Sequence, residues 1–153
     1  MNIKSLSIIT MKPVIFCFNC SLEQLENREY VIKQIENYGL RITDFILFNP
    51  LEEETLNVLI QKAYETLGLI SFLTAGEKEA RAWTITRGTL APQAAGVIHT
   101  DFEKKFIKAD VVSYEDFVSC NGWSGAREKG KAQICGKDYE VKDGDVVEFK
   151  IGS

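Results

Sequence analysis

The stretch Phe72–Phe117 reads FLTAGEKEARAWTITRGTLAPQAAGVIHTDFEKKFIKADVVSYEDF. It opens inside an apolar run, Leu69–Leu73, and reaches a second run, Ala80–Thr86, through the turn signal Ala75-Gly76-Glu77. Both runs are rich in the β-branched and aromatic residues that suit a pleated, half-buried surface. A helix is expected near Pro92–Ile98, because proline fits a first helical turn, where its missing N–H has no partner to lose. Ile107–Ser113 reads as another strand and Tyr114–Cys120 as a short helix. Beyond them, Asn121–Lys131 is rich in glycine and charge and is expected as a loop. The last strands are then Lys131–Cys135, Asp138–Val141 and Val146–Ile151. Strands with one helix packed across them describe an α+β unit.

Upstream the pattern is different. Met11-Lys12-Pro13 leads into Val14–Phe18, a short apolar run that suits a strand buried on both faces. Leu22–Tyr38 carries Leu25, Ile32 and Ile35 at helical spacing, with Ser21 placed to cap its start and Gly39 to stop its end. Phe45–Phe48 reads as a second buried strand. Glu53–Leu67 reads as a helix with Leu56, Leu59, Ile60, Ala63 and Leu67 on one face. Strand, helix, strand, helix points to parallel α/β architecture. The change of pattern at Gly68 places two domains, 1–68 and 69–153.

The 153 residues include 45% apolar and 26% charged side chains, an ordinary globular balance. The net charge of −4 argues against a protein that coats nucleic acid by bulk electrostatics. Residues 1–70 hold 6 basic and 9 acidic side chains and residues 71–153 hold 12 and 13, so a basic patch in the back half must be local. No apolar run reaches the ~20 residues of a membrane helix, and Met1–Thr10 is too weak for a secretory signal. No membrane partner is expected. Four scattered cysteines suit a reducing, cytoplasmic setting.

Several motifs bear on chemistry. Gly125–Ala132, GAREKGKA, approaches the phosphate-binding G-x4-G-K-[ST]. It ends in Ala, which offers no hydroxyl to magnesium, and it does not open a helix after a strand. It reads as a solvated loop. Cys17-Phe18-Asn19-Cys20 is a C-x-x-C between a strand and a helix, the setting of a thiol-disulfide pair. Its bland reading is a small core cysteine in an apolar strand. His99, the lone histidine, has no nucleophile partner in view and is expected to order a turn. Arg81, Arg87, Lys104, Lys105 and Lys108, with Trp83, Phe102 and Phe106 among them, suit RNA if they converge on one face, and a solvated surface if they do not.

Thr74-Ala75-Gly76, Arg81–Thr84, Gly88–Ala95 and Ile98–Lys104, continued by Tyr114–Phe117, Gly136–Tyr139 and Asp143–Val146, together resemble the C-terminal TGS domain of the YchF/Obg-like ATPase family. The resemblance implies a β-grasp, ubiquitin-like TGS domain over 69–153. It implies that 1–68 is a remnant of a P-loop nucleotide-binding α/β domain, so that the chain reads as the last portion of a longer protein. The family binds ATP or GTP with Mg; no cofactor is expected on these residues alone, which lack a phosphate loop. Asn19 matches the base-binding asparagine of the family's N-x-x-E motif, with Leu22 in the acid position and Glu23 one residue on. The implied partners are the ribosome or RNA, reached through Arg81, Arg87, Lys104, Lys105 and Lys108. Two other readings stand beside this one: a redox protein using Cys17 and Cys20, and a module that binds only a protein partner. Self-association through the incomplete α/β segment is also expected, because unpaired strand edges template pairing.

Overall fold

The computed structural model describes residues 12–39, 45–76 and 79–152. Met1–Met11 and Glu77 of the expected turn lie outside the described residues. The chain divides into two units, Met1–Leu67 and Gly68–Ser153. The division falls at Gly68, whose φ of 63° suits a residue without a Cβ.

In the first unit β1 (Phe16–Asn19) and β2 (Phe45–Phe48) pair in parallel, Phe16 opposite Phe45 and Asn19 opposite Phe48. Ser21 caps the helix that follows: its hydroxyl accepts from the Gln24 N–H, and the Gln24 side chain accepts from the Ser21 N–H. The expected single helix over Leu22–Tyr38 is two, α1 (Leu22–Glu26) and α2 (Arg28–Asn37), broken at Asn27. Asn27 leaves helical geometry with ψ 54°; its N–H closes α1 on the Glu23 carbonyl and its own carbonyl accepts from the Tyr30 N–H at the start of α2. Helix α3 spans Glu53–Leu67, as its spacing predicts. Cys20, Ile35 and Leu47 are buried together, with Phe18, Leu25, Val31 and Phe45 packed on them. The first strand is not buried on both faces: Val14 is 60% and Phe16 48% exposed. Among the described residues this sheet has two strands, unlike the wide parallel sheets in which such apolar runs usually occur.

In the second unit β3 (Leu69–Ala75) and β4 (Ala80–Thr86) form an antiparallel hairpin. Helix α4 (Ala91–Ile98) follows, then α5 (Thr100–Lys105), β5 (Phe106–Ser113), α6 (Tyr114–Ser119), α7 (Trp123–Glu128), β6 (Gln133–Cys135) and β7 (Asp145–Ile151). The sheet order is β4-β3-β7-β5-β6, with β3 and β7 parallel and the other neighbours antiparallel. Ala91, Ala94 and Ala95 of α4 are fully buried in one core with Ile70, Phe72, Ile85, Ala109, Val111 and Val147 of the sheet. Three methyl side chains let the helix approach closely, so Phe72 fills the space and is itself fully buried. Val112 and Val146 face the other way and pack with Cys120 and Ala126 of the α6–α7 hairpin.

Three local expectations change. Asn121–Lys131 holds a helix, α7, within what reads as a loop. Gly122, at φ 100°, turns the chain into it; Trp123 donates its indole N–H to the Ala75 carbonyl at 2.9 Å; Ala126 is fully buried. Tertiary anchors override the poor helical propensity of this glycine-rich run. Asp138–Val141 is not a strand but a single bridge, Leu90 to Glu140, with the Val141 N–H on the Thr89 carbonyl. Thr100–Lys105 is a helix that the sequence reading passed over.

Gly125 tests the hairpin packing. A Cβ there would sit 1.9 Å from the Cys120 carbonyl oxygen. Alanine raises helix propensity by ~0.5–1 kcal/mol, but overpacking typically costs ~1–3 kcal/mol or more. Gly125→Ala is therefore expected to lower the denaturation midpoint, while Ser124→Ala, on the exposed side of the same helix, leaves it within error. A midpoint raised by Gly125→Ala would show that the hairpin is loosely packed.

Candidate functional site

Parallel pairing puts the carboxyl ends of β1 and β2 on one edge, where open α/β sheets usually bind ligands. Asn19 ends β1 there, exposed and opposite Phe48. The loop after β2 is pinned: Asn49 is buried, its side-chain oxygen accepts from the Leu51 N–H at 3.0 Å, and Thr55 Oγ1 donates to the Asn49 carbonyl at 2.8 Å. A cavity of about 270 Å³ opens beside these loops, lined by Leu22, Leu25, Glu26, Arg28, Glu52, Glu54 and Thr55. Leu22 lines it, whereas Glu23 and Asn19 do not. Its wall carries three carboxylates and one guanidinium, a balance that favours hydrogen-bond donors over phosphate.

The two thiols of the C-x-x-C are held apart in environment. Cys20 is buried with Phe18, its Sγ on the Phe18 carbonyl at 3.4 Å, while Cys17 is exposed. All four cysteines are free, and no group of metal-binding side chains occurs among the described residues. The GAREKGKA run lies on α7 and the turn after it, so its backbone is committed to a helix interior and not to a phosphate cradle.

The basic residues do not all lie on one face. Arg81 lies over the Trp83 ring, 4.2 Å from its centre, and Trp83 packs into the α4-side core while donating to Thr74 Oγ1. Phe102 of α5 packs into that same core, which puts Lys104 and Lys105 on the α4 side as well. Lys108 alternates with Asp110 and Val112 and so belongs to the opposite face, paired across the sheet with Lys150. Arg87 lies one residue past β4, at its far end from Arg81, with its N–H on the Gly68 carbonyl at 2.7 Å. His99 orders the start of α5: its Nδ1 accepts from the Asp101 N–H at 3.2 Å and its ring meets Phe102.

Sequence reasoning missed the α7 ion network. Arg127 Nη2 donates to Asp110 at 3.0 Å and to Glu148, and Lys150 reaches Glu148 at 2.6 Å. Its guanidinium also lies 5.2 Å from the centre of the Trp123 ring. Arg127, Trp123, Phe117 and Glu148 line an open groove with Ala75, Gly76 and Ala80. The signal was present as Trp123 and Arg127 at helical spacing, but it carries no meaning until α7 is known to be a helix. The hydrogen bond to Asp110 outweighs burial and strengthens the hold of Arg127 on its proton. Burial pushes the Glu148 carboxyl up, but the hydrogen bonds from Lys150 and Arg127 outweigh it and hold the group below its ordinary value.

The YchF-GTPase_C family model, described as a protein of unknown function, matches residues 69–152. The chain belongs to the YchF/Obg-like ATPase family. It is 41% identical to the ribosome-binding ATPase YchF of Haemophilus influenzae, over 97% of this chain and 47% of that protein. The protein of the same name from Bacillus subtilis is 36% identical over 97% and 48%, and Obg-like ATPase 1 of Schizosaccharomyces pombe 34% identical over 98% and 45%. The solved structure of the S. pombe YchF GTPase aligns with a TM-score of 0.76 at 33% identity, over 97% of this chain and 46% of that one. The chain thus spans about half the length of the relatives it matches, and the matched half includes the first unit. Among the described residues no helix is long and apolar enough to cross a membrane.

The Glu148 network predicts a pH dependence. A carboxyl held below its ordinary 4.5 contributes stability that is present above that value and lost as pH falls through the lower folded value. Unfolding midpoints measured from about pH 6 down to about pH 3 should fall more steeply for the wild type than for Glu148→Gln. Parallel curves would show that the network contributes nothing.

Proposed function

We propose that this chain is the C-terminal portion of a ribosome-associated nucleotide-binding protein of the cytoplasm, and that residues 69–153 form a TGS-type β-grasp module that docks on the ribosome through RNA. The observation that carries the reading is the match over nearly the whole chain to proteins named ribosome-binding ATPases. The mixed sheet crossed on one face by α4 supports the β-grasp assignment. The first unit is then the end of a P-loop domain, with the carboxyl ends of β1 and β2 and Asn19 at the base-binding side of ATP or GTP. A bound nucleotide with magnesium would bring its own phosphates; the residues present here supply a rim for the base and no phosphate loop.

The RNA-facing surface in this reading is the α4 side, which takes Arg81 and Trp83 from β4 and Phe102, Lys104 and Lys105 from α5. Arg87 and Lys108 stand at its margins, one at the far strand end and one on the opposite face. Cys17 and Cys20 give the redox reading no support, since one is exposed and the other buried in the core. The exposed Phe16 on the two-stranded sheet, with exposed Val14 just before it, favours self-association of the first unit at high concentration. Phe16→Lys should then reduce light scattering of concentrated protein, and an unchanged signal would remove that route.

Two outcomes test the main reading. Purified chain is expected to release no phosphate from ATP or GTP, because phosphoryl transfer depends on a phosphate loop and Mg²⁺ for positioning and charge. Turnover that follows the protein through repurification would contradict this. The wild type is expected to sediment with ribosomes at low salt and to lose binding as salt rises, since each phosphate contact releases counterions. Arg81→Glu with Lys105→Glu should abolish that binding while leaving the melting curve nearly unchanged, as exposed charges contribute little to stability. A folded double variant that still sediments fully would leave a protein partner as the better reading.

A further inference from the structure

Arg81 and Trp83 stand two residues apart on β4, so the period of the strand sends both to the α4 side. Trp83 is fixed there. Its register partner across the hairpin is the fully buried Phe72, its ring packs on the core, and its indole N–H donates to Thr74 Oγ1 at 2.9 Å. The Arg81 guanidinium lies over this fixed ring, 4.2 Å from its centre. One side of the cation is therefore occupied by the indole, while Arg81 remains exposed. Among the described residues no carboxylate forms an ion pair with it. The other basic groups are held differently. Arg127 is tied to Asp110 and Glu148, and Lys104 and Lys105 are compact charges on flexible stems in the last turn of α5. Strand β4 is also the end strand of its sheet, so no further strand screens Arg81 from that side.

We propose that the outer face of Arg81 is a stacking site for an unpaired nucleobase, so that the α4 side contacts exposed bases as well as phosphates. This rests on the RNA-docking reading above and names the part of the RNA that Arg81 takes. A guanidinium is planar, delocalised and weakly hydrated, so a base can cover its outer face; an ammonium has no such face. The indole beneath holds the long side chain in place before any ligand arrives, which spares part of the ordering cost of binding. Indole, guanidinium and base then form three layers, with the cation between two π faces. Only an unpaired base fits. In a duplex the neighbouring pairs cover each base, whereas the bases of loops, bulges and ends splay out and stack on aromatic rings and guanidinium planes. Lys104 and Lys105 offer charge without a plane, which suits phosphates, and every strand carries those whether paired or not.

Fluorescence anisotropy of the full chain with three labelled probes tests this. They are a short single-stranded RNA of mixed sequence, the same backbone carrying abasic residues, and the strand annealed to its complement. The wild type is expected to bind the single strand about tenfold more tightly than the abasic strand, within the range that base stacking on a side chain supplies. Arg81→Lys keeps the charge and removes the plane. It should erase that preference while leaving the affinities for the abasic strand and the duplex unchanged. Lys105→Gln should weaken all three and keep the preference. Equal binding of the base-containing and abasic strands by the wild type overturns the proposal, and that comparison needs no variant to fold. A preference that survives in folded Arg81→Lys, or no binding of the single strand at all, overturns it too. Sedimentation with ribosomes separates this failure from that of the docking reading. Wild type that sediments in a salt-dependent way but shows no preference for bases loses the stacking site and keeps the docking reading; wild type that binds neither ribosomes nor any probe loses both.

Discussion

The second unit depends on the close approach of α4 to its sheet. Ala91, Ala94 and Ala95 present only methyl groups, and the space they leave is filled by Phe72, with Phe149 meeting its ring edge-on at 5.8 Å. Phe72 lies on β3, the strand that links the β3–β4 hairpin to β7, so losing this contact would loosen both. Tyr139 tightens the same region: its hydroxyl donates to the buried Asp145 at 2.8 Å, and burial followed by that bond pushes the phenol well above its ordinary value. The Lys142 N–H donates to the same carboxylate oxygen at 2.9 Å, which fixes the turn that feeds β7.

A sheet covered on both faces divides its surface in two, and that division governs any reading of function. Side chains of β4 and β5 that look adjacent in sequence are sent to opposite sides by the pleat. Arg81 joins the α4 side with Lys104 and Lys105, while Lys108 joins the α6–α7 side, where Lys150, Glu148, Arg127 and Asp110 form an ionic network. The network holds α7 against the sheet and leaves its own charges largely neutralised. The α4 side holds Arg81 over the Trp83 ring and carries Lys104 and Lys105 on α5, whose Phe102 packs into the core.

Much of this was legible in the sequence. Glu53–Leu67, Phe45–Phe48 and Ala80–Thr86 appear where periodicity places them, because each has a clear hydrophobic pattern between turn residues. Ser21 caps its helix as the sequence places it, and the structure adds the reciprocal bond from the Ser21 N–H to the Gln24 side chain. The misses share a cause. Helix α7 has two glycines beside or within it and is held by Trp123 and Ala126, contacts that only the folded sheet supplies. The basic residues are divided for a related reason. Arg87 continues the β4 ladder at its far end from Arg81 with its N–H on the Gly68 carbonyl, but an irregularity between Phe106 and Lys108 resets the alternation of β5 and sends Lys108 to the other face. Asn19 ends β1 opposite Phe48 at the carboxyl end of the parallel pair, but it does not line the cavity, which carries Leu22 where the resemblance implies a carboxylate.

The claim that most needs a direct reading is that the α4 side of the second unit meets the ribosome. Hydrogen exchange of the full chain with and without ribosomes measures it peptide by peptide. The account predicts new protection over 80–87 and 99–106, the segments carrying Arg81, Lys104 and Lys105, with α7 and the Arg127 network unchanged. Protection confined to α7, or to residues 16–67, with 80–87 and 99–106 exchanging as before, would contradict it.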